Sequence, residues 1–272
     1  MLRKTLSIAA VSAIGLLGTA VAMASTNSAI VQANNAFGVA VTGNLINYQE
    51  HVPASYGPAD TESGWTPGFE ITDGYMGNLA GVRNVYGQIN FHYDSGSIAY
   101  KGAVGRRPYD GTDRATMYRI MGRLGKGFSV CPNAMVTPYV ALGYQHWNRH
   151  LLGPYGYTED YSALLVGMGV KGQYALTNRL VLGANAEMLA VTNGQITPHL
   201  DGGYYGSAHF GTTGEEVVGL NTNYRLTGHV HLFGGLEYTH YNYTGGPLRF
   251  GALEPSSSTN LFDLDAGVAY AF

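Results

Sequence analysis

The sequence predicts an all-β protein, a transmembrane antiparallel up-and-down β-barrel of about ten strands, with eight as the alternative count. Three observations predict it. Apolar residues recur at every second position through most of the chain, short connections alternate with long ones, and the composition suits thin, two-faced strands. The 272 residues include 39 Gly and 21 Tyr, only 12% are charged, and the mean hydropathy is −0.04. A membrane-spanning strand needs about 9–11 residues, lipid-facing apolar ones alternating with lumen-facing polar or small ones, so the two faces average to neutral hydropathy. A helix would repeat its apolar face every 3.6 residues, and this chain repeats at two.

The N-terminus reads as an export signal. Met1-Leu2-Arg3-Lys4 is followed by an apolar run through Leu6, Ile8, Val11, Ile14, Leu16 and Leu17, then Ala22-Met23-Ala24 before Ser25. A basic start, a short apolar stretch and an A-x-A site are the parts of a secretory signal peptide. The run is short of the roughly 20 strongly apolar residues that a spanning helix uses. The expected division is therefore 1–24 signal peptide, 25–35 short N-terminal segment and 36–272 barrel, with a mature N-terminus at Ser25. No Cys is near that site, so lipidation there is not expected. Losing Arg3 and Lys4 takes the 15 basic residues to 13 against 18 acidic ones, a net charge of −5. That balance gives no clustered basic face for nucleic acid. Cys131, the single cysteine, has no partner for an intramolecular disulfide and reads as a turn residue.

Strands follow in order. Residues 36–48 carry Phe37, Val39, Val41 and Leu45 on one face. Residues 65–76 carry Phe69 and Ile71 but would turn Asp73 toward lipid, which makes this the weakest strand. Val85, Gly87, Ile89, Phe91 and Tyr93 alternate with Tyr86, Gln88, Asn90 and His92, and Tyr118, Ile120, Gly122 and Leu124 alternate with Met117, Arg119, Met121 and Arg123. Val136 to Gln145, 159–172, Leu180 to Met188, Val217 to Tyr224 and Val230 to Thr239 repeat the pattern. Tight connections (Gly77–Gly81, Gly125–Asn133, Leu176–Arg179, Leu226–His229) alternate with long ones (His51–Ser63, Asp94–Asp113, Asn148–Thr158, Asn193–Gly214, Thr244–Ser256). Short turns on one side and long loops on the other are expected of a barrel whose long loops face outward. Tyrosines near strand ends (Tyr93, Tyr118, Tyr144, Tyr161, Tyr224, Tyr238, Tyr270) are expected at the two membrane interfaces.

The last strand carries a resemblance. Counting back from Phe272, every second residue is apolar: Tyr270, Val268, Ala266, Leu264, Phe262. A terminal aromatic with another two residues earlier resembles the assembly signal of bacterial outer-membrane β-barrel proteins, the small single-chain class. The resemblance implies a Gram-negative outer-membrane location among lipid and lipopolysaccharide. It also implies recognition of Phe272, Tyr270 and Val268 by the barrel-assembly machinery, and a monomer.

Chemistry is sparse. The inward-facing positions hold Arg119, Arg123, Lys171, Glu187, Arg225, Glu237, Asp263 and Asp265, charges of both signs facing one interior. Charges withdrawn from water need partners, so the expectation is an ion-pair network filling a narrow lumen rather than a selectivity constriction, because open porins use about 16–18 strands. Omptin-type outer-membrane proteases carry Asp/Asp and Asp/His pairs at the rim. Here the loop residues His51, Asp60, Asp110, His150, His199, Asp201 and His209 include no adjacent Asp-His or Asp-Asp pair. Lipid A deacylases use His-x-Ser, and His209-Phe210-Gly211 lacks the Ser. No metal-ligand spacing, nucleotide loop or cofactor motif stands out. The loops are rich in Gly, Tyr, Pro and Ser, which suits adaptable contact. The expected function is thus a non-catalytic, structural or surface-contacting (adhesion-like) barrel with an unidentified extracellular ligand. A small-solute channel and a rim-sited hydrolase are the alternatives.

Overall fold

The structure, a computed structural model, describes residues 26–53, 57–200, 203–204 and 206–272. The expected signal peptide and its cleavage before Ser25 lie outside the described residues. Ten long strands form a ring: β1 (Ala36–His51), β2 (Thr61–Leu79), β3 (Val82–Val104), β4 (Arg107–Lys126), β5 (Ala134–Leu151), β6 (Tyr157–Ala175), β7 (Leu180–Leu200), β8 (Thr213–Arg225), β9 (Val230–Tyr243) and β10 (Ser256–Ala271). Each pairs antiparallel with its successor. β10 pairs with β1 from Ala36↔Ala271 to His51↔Ser256, which closes the barrel. Closure leaves no principal strand with an unpaired edge, the condition for a sheet to sit in lipid.

The segment at 65–76 belongs to β2, which runs well beyond it in both directions. Asp73 does face outward, but near the short-turn end, between Phe37 of β1 and Ile89 of β3. The turn that follows uses Ala80 (φ 49) and Gly81 (φ 82). A two-residue hairpin with positive φ at both central residues matches the twist of the strands it joins.

The strands are longer than expected, and the long connections correspondingly shorter. Residues 94–113, expected as a loop, continue β3 to Val104 and start β4 at Arg107. The physical reason is a change of solvent. In the lower half of the barrel Val41, Ile89, Ile120, Leu142, Met168, Met188, Leu220 and Leu264 face outward and are exposed. Higher up, the outward positions become Ser97, Lys101, Arg114, Thr112, Asn148, His150 and Gln49, while Ile46, Ile98, Ala115, Trp147 and Leu151 turn inward and are buried. Strand alternation persists, but its polarity inverts where lipid gives way to water. An apolar outward row ends at the membrane surface although the strand does not. The upper half is a collar standing above the bilayer.

A β-bulge adjusts one strand at this boundary. Pairing between β6 and β7 shifts between Ser162↔Gln195 and Leu164↔Thr192, with Asn193 at φ 50. The extra residue switches parity, so that Ile196 faces inward at 0% exposure.

At the short-turn end the segment read simply as 25–35 contains a helix, α1 (Thr26–Ala33), tucked into the barrel mouth. Ile30 is fully buried and joins a cluster that includes Met76, Tyr86 and Met135. Asn35 grips the backbone of Met76 twice, accepting from its N–H at 2.8 Å and donating to its carbonyl at 2.6 Å. Arg225 donates to Gln32 at 2.8 Å. No helix among the described residues is long and apolar enough to cross a membrane.

Candidate functional site

Inside the ring, the lumen is stacked in three storeys: the helix at the bottom, a polar chamber at membrane depth, and the collar interior above. The chamber encloses a cavity of ≈ 260 Å³. Its two sides differ in charge. On one side Arg119 pairs with Glu215, and Arg123 donates from Nε to Glu187 at 2.7 Å and from a terminal nitrogen to Asn90 at 2.8 Å. Tyr139 adds a second donor to Glu187 at 2.9 Å. Facing the same space from β2, β3, β9 and β10 are Glu70, His92, Asp94, Glu237, Asp263 and Asp265.

Of the charged residues expected in the lumen, Arg119, Arg123, Glu187, Glu237, Asp263 and Asp265 line this chamber. Lys171 sits at its floor and donates to Asn34, just past α1, at 3.0 Å. Arg225 lies lower, holding Gln32 and the Asn178 carbonyl, outside the ion pairs. On the C-terminal strand Val268, Tyr270 and Phe272 are 50%, 57% and 66% exposed, on the outward row.

Sequence reasoning passed over His92, Asp94, Glu70 and Glu215. Asp94 and Glu215 fall where the lipid-facing apolar row stops or has yet to start, next to what reads as loop. The available signal is His92-x-Asp94, since residues two apart on a strand share a face. His92 Nε2 lies 2.6 Å from Asp94 Oδ2 and 3.2 Å from Asp263 Oδ2. Thr42 Oγ1 donates to Asp94 Oδ1 at 3.3 Å and Asn44 Nδ2 to Asp94 Oδ2 at 3.2 Å. Gly68 makes room for this group: a Cβ there would strike the Tyr93 carbonyl and crowd Asp94 and Thr42. Among the described residues, His92, Asp94 and Asp263 form a set whose donor atoms all lie within 4.8 Å of one another.

The collar interior is built around Arg149, which is 1% exposed. Its guanidinium pairs with Glu62, donates to Glu159 at 2.9 Å and to the Tyr161 hydroxyl at 3.0 Å, and lies 3.9 Å from Glu50. It also covers the Tyr48 ring at 4.3 Å. Tyr161 in turn donates to Glu254 at 2.7 Å. Stacked aromatics complete the filling, with Tyr161 and Tyr243 rings 5.7 Å apart and Tyr48 edge-on to Trp147 at 5.2 Å. Tyr161 was expected in an interfacial girdle. It is 1% exposed and points inward, because above the membrane the aromatic rows leave the outer surface. Tyr118 and Tyr144 remain on the outer surface, 6.0 Å apart.

The collar carboxyls outnumber their one guanidinium, and burial raises Glu50 and Asp113 among them. Glu50 is pushed up to about 8 by desolvation and by Asp60 beside it. Asp113 rises to about 8 by desolvation and the neighbouring Glu62. Both Asp113 oxygens and Glu62 Oε2 are buried without a hydrogen-bond partner. Arg149 is held charged: burial opposes this, but Glu62 and the surrounding anions outweigh it.

This closed ring, with an apolar belt, a polar lumen and short turns at one end, has the fold of the bacterial outer-membrane β-barrel proteins. No family model and no curated relative matches the sequence. Among solved structures the barrel is similar to the outer-membrane protease OmpT from Escherichia coli, at 9% identity and a TM-score of 0.60 over 88% of this chain and 97% of that one. It also aligns with OprG from Pseudomonas aeruginosa (11% identity, TM-score 0.34, 89% and 99% of the two chains) and with Neisserial surface protein A (11%, 0.37, 87% and 97%). At these identities the likeness is one of fold.

Proposed function

We propose that this barrel is a non-catalytic, non-conducting protein that acts through the outer surface of its collar, making adhesion-like contacts above the membrane. The observation that carries the reading is the solid collar interior. Arg149, its carboxylates and the rings of Tyr48, Trp147, Tyr161 and Tyr243 occupy the space that a pore would keep open or a rim hydrolase would shape into a cleft. The outer wall and loop tips remain as chemistry directed at the surroundings. Leu152 and Tyr155 on the β5–β6 connection are 41% and 55% exposed, and Phe250 and Leu253 on the β9–β10 connection are 86% and 69% exposed. Apolar side chains displayed on connections held by a rigid scaffold are suited to contact.

The test is adherence. Cells displaying the wild-type protein are expected to aggregate or bind epithelial monolayers more than cells displaying a variant with these four residues changed to Ser, at equal surface abundance. Equal adherence would remove the contact role. Refolded protein is expected to leave a panel of unstructured peptides uncleaved; reproducible cleavage would instead favour the hydrolase.

A further inference from the structure

The chamber at membrane depth has a feature that contact through the collar does not use. Glu70, Asp94, Glu237, Asp263 and Asp265 share it with a single imidazole, His92, while Arg119 and Arg123 across the lumen are already engaged by Glu215 and Glu187. Anions gathered away from bulk water require compensation. Three donor atoms already converge: His92 Nε2, Asp94 Oδ2 and Asp263 Oδ2, with nitrogen-to-oxygen separations of 2.6 and 3.2 Å. Asn44 stands beside them. It is 3% exposed, its amide meets Asp94 Oδ2 through Nδ2 at 3.2 Å, and its Oδ1 is buried without a hydrogen-bond partner; turning the amide over exchanges the two atoms and presents the oxygen to the set.

We propose that His92, Asp94 and Asp263, with Asn44 as a fourth donor, bind one divalent transition-metal ion of the zinc class inside the barrel. Imidazole and carboxylate together suit Zn²⁺, which takes nitrogen and oxygen ligands at about 2.0–2.2 Å in four-coordinate sites. The magnesium and calcium alternatives favour all-oxygen sets. Thr42, donating to the second oxygen of Asp94 at 3.3 Å, supplies the outer support that orients a ligating carboxylate. The ion would tie β3 to β10 across the lumen. Because helix and collar close the lumen above and below, loading is expected during folding rather than by soaking.

The experiment refolds the full mature chain in detergent with and without Zn²⁺, desalts it and measures metal by mass spectrometry. Close to one equivalent is expected after refolding with Zn²⁺, and Co²⁺ in its place should give a visible absorption band of a low-coordinate site. Asp263→Asn and His92→Asn, checked for folding by the heat-dependent gel shift, are expected to weaken uptake at least tenfold. If either misfolds, Asp263→Glu, which keeps the charge and displaces the donor atom, takes its place. The outer imidazoles of His146 and His199, 3.5 and 3.2 Å from Asp160 oxygens, are the rival surface site. The double variant His146→Asn/His199→Asn is expected to retain full uptake. Uptake below about a tenth of an equivalent in the wild type, or uptake lost only in that double variant, overturns the proposal.

Discussion

Arg149 shows how much can depend on one side chain above the membrane. It pairs with Glu62, Glu159 and Glu50 and covers Tyr48, all with little solvent. Removing one partner from a buried ion pair costs about 3–5 kcal/mol because the remaining charge is left uncompensated. Arg149→Met is therefore expected to lower the thermal midpoint in detergent markedly, whereas Glu62→Gln, which keeps a hydrogen-bonding partner, should cost less. The same surroundings set a pH dependence. Glu50 and Asp113 have folded values raised to about 8, above the ordinary carboxyl range in the unfolded chain. Between those values the folded state binds more protons, so stability falls as pH rises. Their contribution is fully present below about pH 4 and is lost as pH passes through 8. The measured midpoint should decline from pH 5 to 9, and Glu50→Gln combined with Asp113→Asn should flatten that decline.

Among the elements, α1 is the one the barrel could lose without losing closure, since no strand pairing runs through it. Its seat rests on Ile30 and on the Asn34, Asn35 and Gln32 hydrogen bonds. Ile30→Asp would place an unpaired charge among Met76, Tyr86 and Met135, a change of the kind that costs several kcal/mol. The helix is expected to leave its seat while the barrel persists. Amide hydrogen exchange reads both parts: amides at 30–35 should lose protection in the variant, and those of β1 to β10 should keep it. Concurrent loss across the strands would show instead that the helix is integral to the barrel's stability.

As a whole, the molecule is a barrel whose wall has two solvents and whose lumen is filled from both ends. Ten strands enclose an interior that side chains can occupy, in contrast to the 16 or more of water-filled porins. The expected conductance in planar bilayers is below that of porins and close to the baseline. Ile30→Asp alone should not raise it, because the Arg149 cluster still closes the collar. A large stable open state in the wild type would promote the channel alternative.

Parity and composition by themselves determined the barrel. On a strand the next residue points the opposite way, so Val39, Val41, Ile89, Ile120 and Leu264 declare the lipid side through local sequence alone, and lipid tolerates no other backbone arrangement for such short segments. The same logic placed Arg119, Arg123, Asp263 and Asp265 inside. It failed where the outer solvent changed: Ile98 and Leu151 follow the same two-residue period with inverted polarity, which a reading tuned to apolar-outward rows takes for loop, and the same inversion turns Tyr161 inward rather than to a girdle. Which charges meet lies beyond any local pattern. Asp94 and Asp263 belong to strands distant in sequence, and only the curvature of the closed ring brings them to one imidazole. The seating of α1 in the barrel mouth was likewise decided by tertiary structure, because an eight-residue helix this short acquires its stability from the surface it packs against rather than from its own sequence.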